Sequence, residues 1–271
     1  MYSRKEIIVI MAELIQSKTN SKIKQIAKLV SSAKERKKQG QFVLEGLRLC
    51  QDAMQSGIRF SMLVYTKAAL NKSGEIIELL EKNSEFSFVA TEDVFEKISD
   101  TVSPQGVICV ADMPKENDYA LNKNGKYIVL NNLSNPDNIG AISRTAEAFG
   151  VDALIVIGGC DIYNPKALRS SMGALIRLSV LNFTEDDFFD FCLKNGIKTF
   201  ASTPRKDALP LDECNFESAT AVLIGNEANG LDDSIIAKCD STVTIKMNGK
   251  AESLNAAAAA AVLIYEMTKQ R

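Results

Sequence analysis

The sequence of 271 residues contains no histidine. This absence excludes Ser-His-Asp and Cys-His nucleophilic catalysis, and it excludes metal sites that use imidazole ligands. Any chemistry must therefore use arginine, lysine, carboxylate, hydroxyl, amide or backbone groups. A reaction in which a bound cofactor has already activated the electrophile is compatible with that restriction.

Cysteine is sparse, and no two cysteines lie closer than 22 residues in the chain. Because there is no CxxC pair, both a zinc site and a thioredoxin-like motif are disfavoured. Most of the cysteines are flanked by apolar residues, which is typical of buried free thiols in a cytosolic protein. The six are Cys50, Cys109, Cys160, Cys192, Cys214 and Cys239.

Long hydrophobic runs are also missing, since no segment approaches the ~18 apolar residues that a membrane span requires. The opening MYSRKEIIVIM contains an apolar run of only five residues, which is too short for the core of a signal peptide. We interpret residues 1–11 as an N-terminal extension, with Met11 as an alternative start. We expect a cytoplasmic protein.

The net charge of −2 argues against a nonspecific nucleic-acid binder, but the charge is unevenly distributed. Residues 1–115 carry 17 basic and 14 acidic side chains, whereas residues 116–271 carry 15 and 20. Within residues 18–48 there are nine basic side chains and two acidic ones. Positive charge is therefore concentrated near the start of the chain.

Residues 12–111 are predicted to form a small α/β domain. A helix over 20–39 has an apolar stripe and a basic outer face, which is either a solvated surface or a contact for RNA phosphates. Strands are expected at 42–46, 62–66, 86–90 and 107–111, and helices at 48–55, 74–82 and 91–99. The candidate RNA-binding residues are Lys22, Lys24, Lys34, Arg36, Lys37, Lys38 and Arg48.

A polar segment at 112–125, which includes Pro114, is predicted to link this domain to a second one over 126–271. The second domain alternates apolar strands with helices, which indicates a mainly parallel sheet buried on both faces. Strands are expected at 127–133, 153–158, 197–202, 221–226 and 242–247. Helices are expected at 138–149, 165–175, 185–195, 231–237 and 254–269.

Three polar loops that contain glycine follow predicted strands, at 131–141, 225–231 and 247–255. Loops that follow parallel strands lie along one edge of the sheet, where ligands usually bind. Any one of these loops is explained equally well by a tight turn. Three of them, each with asparagine and either serine or glutamate beside the glycine, favour a ligand site.

The helix after the first loop carries Arg144 on the side away from its apolar stripe, which consists of Ile139, Ile142, Ala146 and Phe149. Two interpretations of Arg144 remain open from spacing alone. It is either a solvent-facing side chain, or a guanidinium that a partner chain or nucleotide approaches closely. The second interpretation depends on its small neighbours Gly140, Ala141 and Ala148.

Three long motifs occur in order: NPDNIGAISRTAEAFG (135–150), LIGNEANGL (223–231) and IKMNGKAESLNAAAAAAVLIYE (245–266). Together they resemble the ordered motifs of the SpoU family of RNA 2′-O-ribose methyltransferases, in the SPOUT superfamily. The segment RSSMGALIRL (169–178) is also similar to the family. Residues 17–49 resemble the start of its RNA-binding domain, whose fold is like that of certain ribosomal proteins.

The resemblance implies a C-terminal domain tied in a deep trefoil knot, a homodimer, and S-adenosylmethionine bound in the knot without a metal. The residues implied for cofactor binding are Thr203, Gly225, Ile245, Met247 and Leu254. The residues implied for catalysis are Asn138, Arg144, Glu227, Ser253 and Asn255. The chain departs from the family at Lys246, where a proline usually precedes the methionine of the third motif.

The implied reaction transfers a methyl group to a ribose 2′-hydroxyl, which is mainly a problem of positioning. A guanidinium stays protonated in proteins, with a pKa above ~12, so Arg144 suits the binding of a phosphate or alkoxide better than the role of base. We expect Asn138 and Ser253 to orient the hydroxyl, and the identity of the base stays open.

The motifs also bear on three alternative functions. A non-catalytic RNA-binding or ribosome-assembly protein on the same fold would show eroded motifs, and these are intact. A dinucleotide-binding dehydrogenase would need GxGxxG after its first strand, which residues 157–165 do not supply. Within the methyltransferase interpretation, the extra N-terminal domain favours ribosomal RNA, specifically 23S, over tRNA as the substrate.

Overall fold

The computed structural model describes residues 12–114, 122, 124–159 and 161–270. The predicted N-terminal extension, most of the predicted linker and Cys160 lie outside the described residues. The chain divides into two compact units, Met1–Met113 and Pro114–Arg271.

Unit 1 is built on a five-stranded sheet with the order β1-β4-β3-β5-β2. β1, β4 and β3 run parallel to one another, whereas β5 pairs antiparallel with both β3 and β2. The predicted α/β class is therefore confirmed for this unit. The strands are β1 (Glu13–Ile15), β2 (Gln41–Glu45), β3 (Phe60–Thr66), β4 (Ser84–Ala90) and β5 (Val107–Asp112).

The helices of unit 1 differ in part from their predicted bounds. The single helix expected over 20–39 is wrong, because the extended backbone of Ser32 separates two helices and its hydroxyl accepts a hydrogen bond from the Glu35 N–H. The helix expected at 74–82 matches the second part of α4, which the non-helical backbone of Ser73 separates from a first part that the Thr66 hydroxyl caps. The helices are α1 (Ser21–Ser31), α2 (Ala33–Gln39), α3 (Leu47–Gln55), α4 (Lys67–Lys82) and α5 (Glu92–Phe95).

One face of this sheet is covered by α1, whose apolar side chains recur every three residues. Ile23, Ile26 and Leu29 are fully buried in a cluster with Met62 of β3 and Phe88 of β4. α4 covers the opposite face. Tyr65 lies three residues after Met62 on β3, so its side chain is on the other face of the sheet, where its hydroxyl donates to Glu81 of α4 at 2.6 Å.

Unit 2 contains a seven-stranded sheet with the order β10-β12-β9-β11-β6-β7-β8, in which every pairing is parallel. The predicted parallel sheet is confirmed, and the deep trefoil knot stays a prediction. The short strands β8 and β10 were not predicted. The strands are β6 (Lys126–Asn131), β7 (Ala153–Ile157), β8 (Val180–Phe183), β9 (Lys198–Ser202), β10 (Leu209–Pro210), β11 (Thr220–Ile224) and β12 (Ser241–Thr244).

Two predictions for the helices of unit 2 are wrong. The helix expected over 165–175 is broken, because Met172 and Gly173 have left-handed backbone conformations. Phe149 is exposed at the end of α6 and does not belong to the buried stripe. The helices are α6 (Pro136–Ala148), α7 (Pro165–Ser170), α8 (Ala174–Arg177), α9 (Glu185–Asn195), α10 (Asp233–Lys238) and α11 (Ala256–Lys269). Across the described ranges, no helix is long and apolar enough to cross a membrane.

Close packing between α6 and α7 depends on Gly140. A Cβ at this position would overlap Ser170 Oγ and would come within 2.7 Å of the Ser171 backbone nitrogen. α7 therefore packs directly against α6 at Gly140. This corrects the expectation that the small residue Gly140 leaves room near Arg144 for a partner chain or nucleotide. The packing fixes the helix that carries the first motif.

We expect Gly140→Ala to lower the free energy of unfolding by about 1–3 kcal/mol, because the added methyl group overpacks this contact. Chemical denaturation measures the change. Gly74→Ala is the matched control, since a Cβ on that helical glycine meets no atom within 4 Å. Equal stability of the two variants would contradict the proposed packing role of Gly140.

Candidate active site

The three polar loops meet at one edge of the sheet in unit 2. The Asn226 side-chain amide in the second loop donates to the Asn132 carbonyl in the first loop at 2.8 Å. The Asn255 amide in the third loop donates to Asn138 Oδ1 at 3.1 Å. Because β6 and β11 are parallel neighbours, their carboxyl ends bring these distant segments together.

The strands end sooner than predicted at this edge. β6 stops at Asn131, because Asn132 has a positive φ of 52°. β12 stops at Thr244, so that Ile245 and Met247 leave the sheet and join the lining of a cavity. The residues that were assigned to strand ends thus form the walls of the site.

The cavity beside these loops has a volume of about 290 Å³. Its walls combine apolar side chains, such as Ile224, Val243 and Leu263, with polar ones, such as Ser202 and Glu252. A cavity of this kind suits a small molecule that has both apolar and polar parts. All the residues predicted to bind the cofactor line it: Thr203, Gly225, Ile245, Met247 and Leu254.

Gly225 is required by the way the second loop folds back on itself. Asn226 and Gly230 exchange two backbone hydrogen bonds, at 3.0 and 2.9 Å, which closes the loop. A Cβ on Gly225 would overlap backbone atoms of Gly230 and Leu231. The absence of a side chain at this position therefore permits the compact loop that forms one wall of the cavity.

Glu227 connects the second loop to the first through four hydrogen bonds. Its carboxylate accepts from the Ser134 N–H and hydroxyl, both at 3.2 Å, from the Asn135 N–H at 3.1 Å and from the Asn138 amide at 3.0 Å. Burial alone would raise the pKa of Glu227, but the hydrogen bonds from Asn138 and the backbone hold this pKa below its ordinary value. The carboxylate is therefore ionised at neutral pH, and its oxygens are occupied.

Asn138 lies between Glu227 and Asn255 and is only 6% exposed. It donates to Glu227 through Nδ2 and accepts from Asn255 through Oδ1, which fixes the orientation of its amide. Asn255 in turn accepts from the Ala257 N–H at 2.9 Å and caps α11. The predicted residues Asn138, Glu227 and Asn255 thus form one chain of side chains, and Ser253 lines the adjoining cavity.

Arg144 is not brought into this group. Its side chain is exposed on α6, away from the buried Ile139 and Ile142, as the apolar stripe predicted. It is absent from the lining of the cavity. Arg144 therefore does not line the cavity of its own chain, and a catalytic role would require its guanidinium to contact the reactants from outside that cavity.

Lys246, at the position where the family usually has proline, forms two long ion pairs at the surface. Its ammonium lies 3.8 Å from Asp212 Oδ1 and 3.8 Å from Glu213 Oε1. All three side chains are exposed, and exposed pairs of this kind contribute at most about 1 kcal/mol. The pairs connect the segment around Ile245 and Met247 to the short 3-10 helix Leu211–Glu213.

Ser134 and Asn226 were missed as individual site residues, although their loops were singled out. Ser134 supplies two of the four donors to Glu227, and Asn226 binds the first loop. Ser134 precedes Asn135 and Pro136, which begin α6 as its N-cap and first residue. A polar residue just ahead of that Asn-Pro signal was the available clue.

The predicted RNA-binding residues of unit 1 differ in their exposure to solvent. Arg36 was placed on the outer face, and this is wrong: it is 2% exposed, and its guanidinium donates to the carbonyls of Leu29 and Val30 at the end of α1. Lys22 is half-buried, with its ammonium 5.7 Å from the centroid of the Phe86 ring. The exposed members of the set are Lys24, Lys34, Lys37, Lys38 and Arg48.

The cysteines and acidic residues offer no metal site in the described part of the chain. No group of three or more potential ligands among histidine, cysteine, aspartate and glutamate is placed to hold an ion there. Four of the described cysteines are buried free thiols and Cys239 is half-buried. Burial, together with nearby Asp240 and Cys239, raises the pKa of Cys192 to about 12, so this thiol is inert.

Comparison with known families gives a match for each unit. Residues 125–265 match the model of the SpoU rRNA Methylase family. Residues 20–109 match the MRM3-like substrate binding domain.

The chain is similar over most of its length to proteins named as 23S ribosomal RNA methyltransferases. It is 31% identical to the 23S rRNA (guanosine(2553)-2′-O)-methyltransferase RlmP of Bacillus subtilis, with 93% of this chain and 98% of that protein covered. It is 29% identical to the 23S rRNA (uridine(2479)-2′-O)-methyltransferase of Streptomyces viridochromogenes, with 93% and 91% covered.

Solved structures give the same result. The SpoU methyltransferase AviRb from Streptomyces viridochromogenes, solved in complex with the cofactor AdoMet, superposes with a TM-score of 0.84 and 28% identity, with 93% of this chain and 98% of that chain covered. The family model spans more than half of the chain, and its match covers the first two motifs and residues 245–265 of the third. The chain therefore belongs to the SpoU rRNA Methylase family.

Proposed function

We propose that this protein transfers the methyl group of S-adenosylmethionine to a ribose 2′-hydroxyl of 23S ribosomal RNA. The observation that carries the proposal is one arrangement at the edge of the sheet. A cavity lined by Thr203, Gly225 and Leu254 adjoins the hydrogen-bonded chain of Glu227, Asn138 and Asn255.

The cavity fits S-adenosylmethionine by its chemistry. Ile224, Val243 and Leu263 supply apolar surface for a nucleoside, and the acidic residue Glu252 suits a ligand with positive charge. When bound, the cofactor supplies a methyl group that its sulfonium has already activated. The protein then needs neither a covalent nucleophile nor a metal, which agrees with a chain that has no histidine.

Glu227 acts in this proposal as a positioning residue and not as a base. Its lowered pKa and its four hydrogen bonds make it a poor acceptor for a further proton. What it does is hold the first loop at Ser134 and Asn135 and fix the amide of Asn138. Ser253, which lines the cavity and carries a hydroxyl, is the residue we assign to orient the ribose 2′-oxygen.

We further propose that two copies of the chain form a homodimer through α6 and α11. Phe149 on the end of α6 and Tyr265 on α11 are both exposed, and their rings contact each other edge to face at 5.7 Å. Val262 on α11 is exposed as well. Covering this apolar patch with a second copy would bring Arg144 of α6 to the partner's cavity, where its charge would bind a phosphate or alkoxide.

The length of the matches favours ribosomal RNA over tRNA as the substrate. The two relatives named for 23S ribosomal RNA align with 93% of the chain. The tRNA (guanosine(18)-2′-O)-methyltransferase of Thermus thermophilus aligns with 53% of it, at 32% identity. Mapping 2′-O-methyl groups in ribosomal RNA and tRNA, with and without the protein, decides between the two substrates.

The first prediction from the proposed function concerns cofactor binding. Isothermal titration calorimetry of the wild-type protein should show S-adenosylmethionine binding without added metal, and a chelator should leave the heat unchanged. Gly225→Ala should abolish binding, because its methyl group overlaps the backbone of the second loop. Gly249→Ala in the third loop is the matched control, since its Cβ meets nothing within 4 Å. Binding that requires a divalent ion would refute the assignment.

The second prediction concerns Glu227→Gln, which removes the negative charge and places an amide against the donors of Ser134. We expect methyl transfer to fall and the variant to be less stable than wild type at pH 7. Because the folded-state pKa of Glu227 is lowered, its ionisation stabilises the protein above the ordinary glutamate range, and this contribution is lost as the pH falls through the folded pKa. The stability gap measured by urea denaturation should therefore shrink towards acidic pH, and a constant gap would contradict this role.

The third prediction concerns Arg144→Ala. Thermal stability should stay within ~0.5 kcal/mol, because the side chain is exposed. Methyl transfer should drop by ~100-fold or more, the order expected when a charge at a developing oxyanion is lost. Arg144→Lys should rescue little, since a point charge does not reproduce a planar fork. Lys194→Ala, at an exposed position on α9, should leave activity unchanged.

Mixed dimers test whether Arg144 acts across the subunit boundary. Arg144→Ala and Gly225→Ala chains should each be inactive alone. When they are combined, one cavity is intact and receives Arg144 from the other chain, so activity should return. If Arg144 acted within its own subunit, the mixture would stay inactive.

A further inference from the structure

Phe86 is an exposed aromatic side chain beside a helix that carries only positive charge. It is 51% exposed, and in the described residues 12–114 no other aromatic side chain is exposed. The remaining large exposed apolar side chains of that unit are aliphatic: Leu14, Leu79 and Val102. Because its ring is exposed to solvent, Phe86 does not belong to the core of the unit.

The position of Phe86 on β4 places it on the same face of the sheet as α1. It stands opposite Met62 of β3, and it is two residues from Phe88, which is buried under α1. Within the described residues, β1 pairs with Phe88 to Ala90 and not with Phe86. The neighbouring Glu85 points to the other face, because successive residues of a strand alternate.

The charge around the ring is positive on the side of α1. Lys22 holds its ammonium 5.7 Å from the ring centroid, which is the distance of a cation–π contact. α1 has no acidic residue, and Lys24 and Lys28 are exposed on it. A ring in contact with one ammonium group, beside a helix whose charged residues are all basic, fits a ligand that combines a flat aromatic part with negative charge.

We propose that Phe86 is a stacking platform for an unpaired base of the RNA substrate, with the flanking phosphates held by Lys24 and Lys28. The inference rests on the proposed RNA methyltransferase function and names a contact by which unit 1 holds its substrate. Single-stranded RNA offers splayed bases that stack on aromatic side chains, whereas a paired duplex keeps its bases enclosed. Stacking of this kind tolerates any base, so the contact grips RNA without reading its sequence.

The sequence contains no tryptophan, which permits a direct optical test. Phe86→Trp places a single tryptophan at the proposed platform while keeping an aromatic ring there. Leu79→Trp is the matched control, because Leu79 is 47% exposed on α4, which covers the opposite face of the sheet. The probes are a stem-loop RNA with a single-stranded loop and a blunt duplex of the same stem.

We expect the stem-loop to quench the fluorescence of Phe86→Trp, and the duplex to leave it unchanged. The Leu79→Trp variant should respond to neither RNA. Equal quenching of the two variants, or no quenching of Phe86→Trp while fluorescence anisotropy shows that the stem-loop is bound, would overturn the proposal.

Affinity provides the second measurement. Phe86→Ala should weaken stem-loop binding by about tenfold, the order expected for the loss of one base–aromatic stack. Phe86→Leu should weaken it similarly, since it keeps an apolar side chain but no ring, and Leu79→Ala should bind as wild type does. Wild-type affinity of Phe86→Ala would refute the platform.

The two proposals fail in different ways. Phe86→Ala should bind S-adenosylmethionine as wild type does, because the residue belongs to unit 1. If the wild-type protein neither bound the cofactor nor methylated RNA, the proposed function would be wrong. If wild type methylated RNA and Phe86→Ala bound it equally well, only the stacking platform would be wrong.

Discussion

The candidate active site depends on one carboxylate that holds two distant segments together. Glu227 accepts four hydrogen bonds, three of them from Ser134 and Asn135, residues that lie more than ninety positions earlier in the chain. Without this ionised group the donors at the start of α6 would lack a common acceptor. The carboxylate also fixes the amide of Asn138, and through Asn138 it connects to the cap of α11. The three motifs thus depend on each other through a single network of polar side chains.

The parallel sheet makes that network possible. β6 and β11 are neighbours although a long stretch of chain separates them, and their carboxyl ends deliver the first and second loops to the same place. The interior of the sheet is largely apolar and buried, whereas the polar groups of the site lie at its carboxyl edge. This separation lets a chain without histidine carry out its chemistry by positioning alone. In the function we propose, the cavity holds the activated cofactor, and amides, hydroxyls and a fixed carboxylate arrange the acceptor beside it.

Positive charge in unit 1 serves two purposes that look alike in the sequence. Arg36 occurs in the run of basic residues 34–38, but it is buried and satisfies carbonyl groups at the end of α1. Lys37 and Lys38, its neighbours in the chain, are exposed and free to contact RNA phosphates. The buried guanidinium of Arg36 stabilises the junction of α1 and α2, whereas the exposed ammonium groups are the ones we propose to attract RNA.

The sequence by itself determined the fold class, most of the order of the elements and five residues of the cavity wall. The fold class and the elements follow from apolar periodicity, whereas the wall residues, Gly225 among them, follow from three ordered motifs that resemble those of the family. Only the tertiary structure decided which side chains meet. The break at Ser32 turned Arg36 inwards, and the pairing of β6 with β11 brought Ser134 to Glu227. The second outcome depends on a contact between segments far apart in the chain, which local periodicity does not report. The first depends on a helix cap that the apolar spacing of residues 20–39 does not reveal.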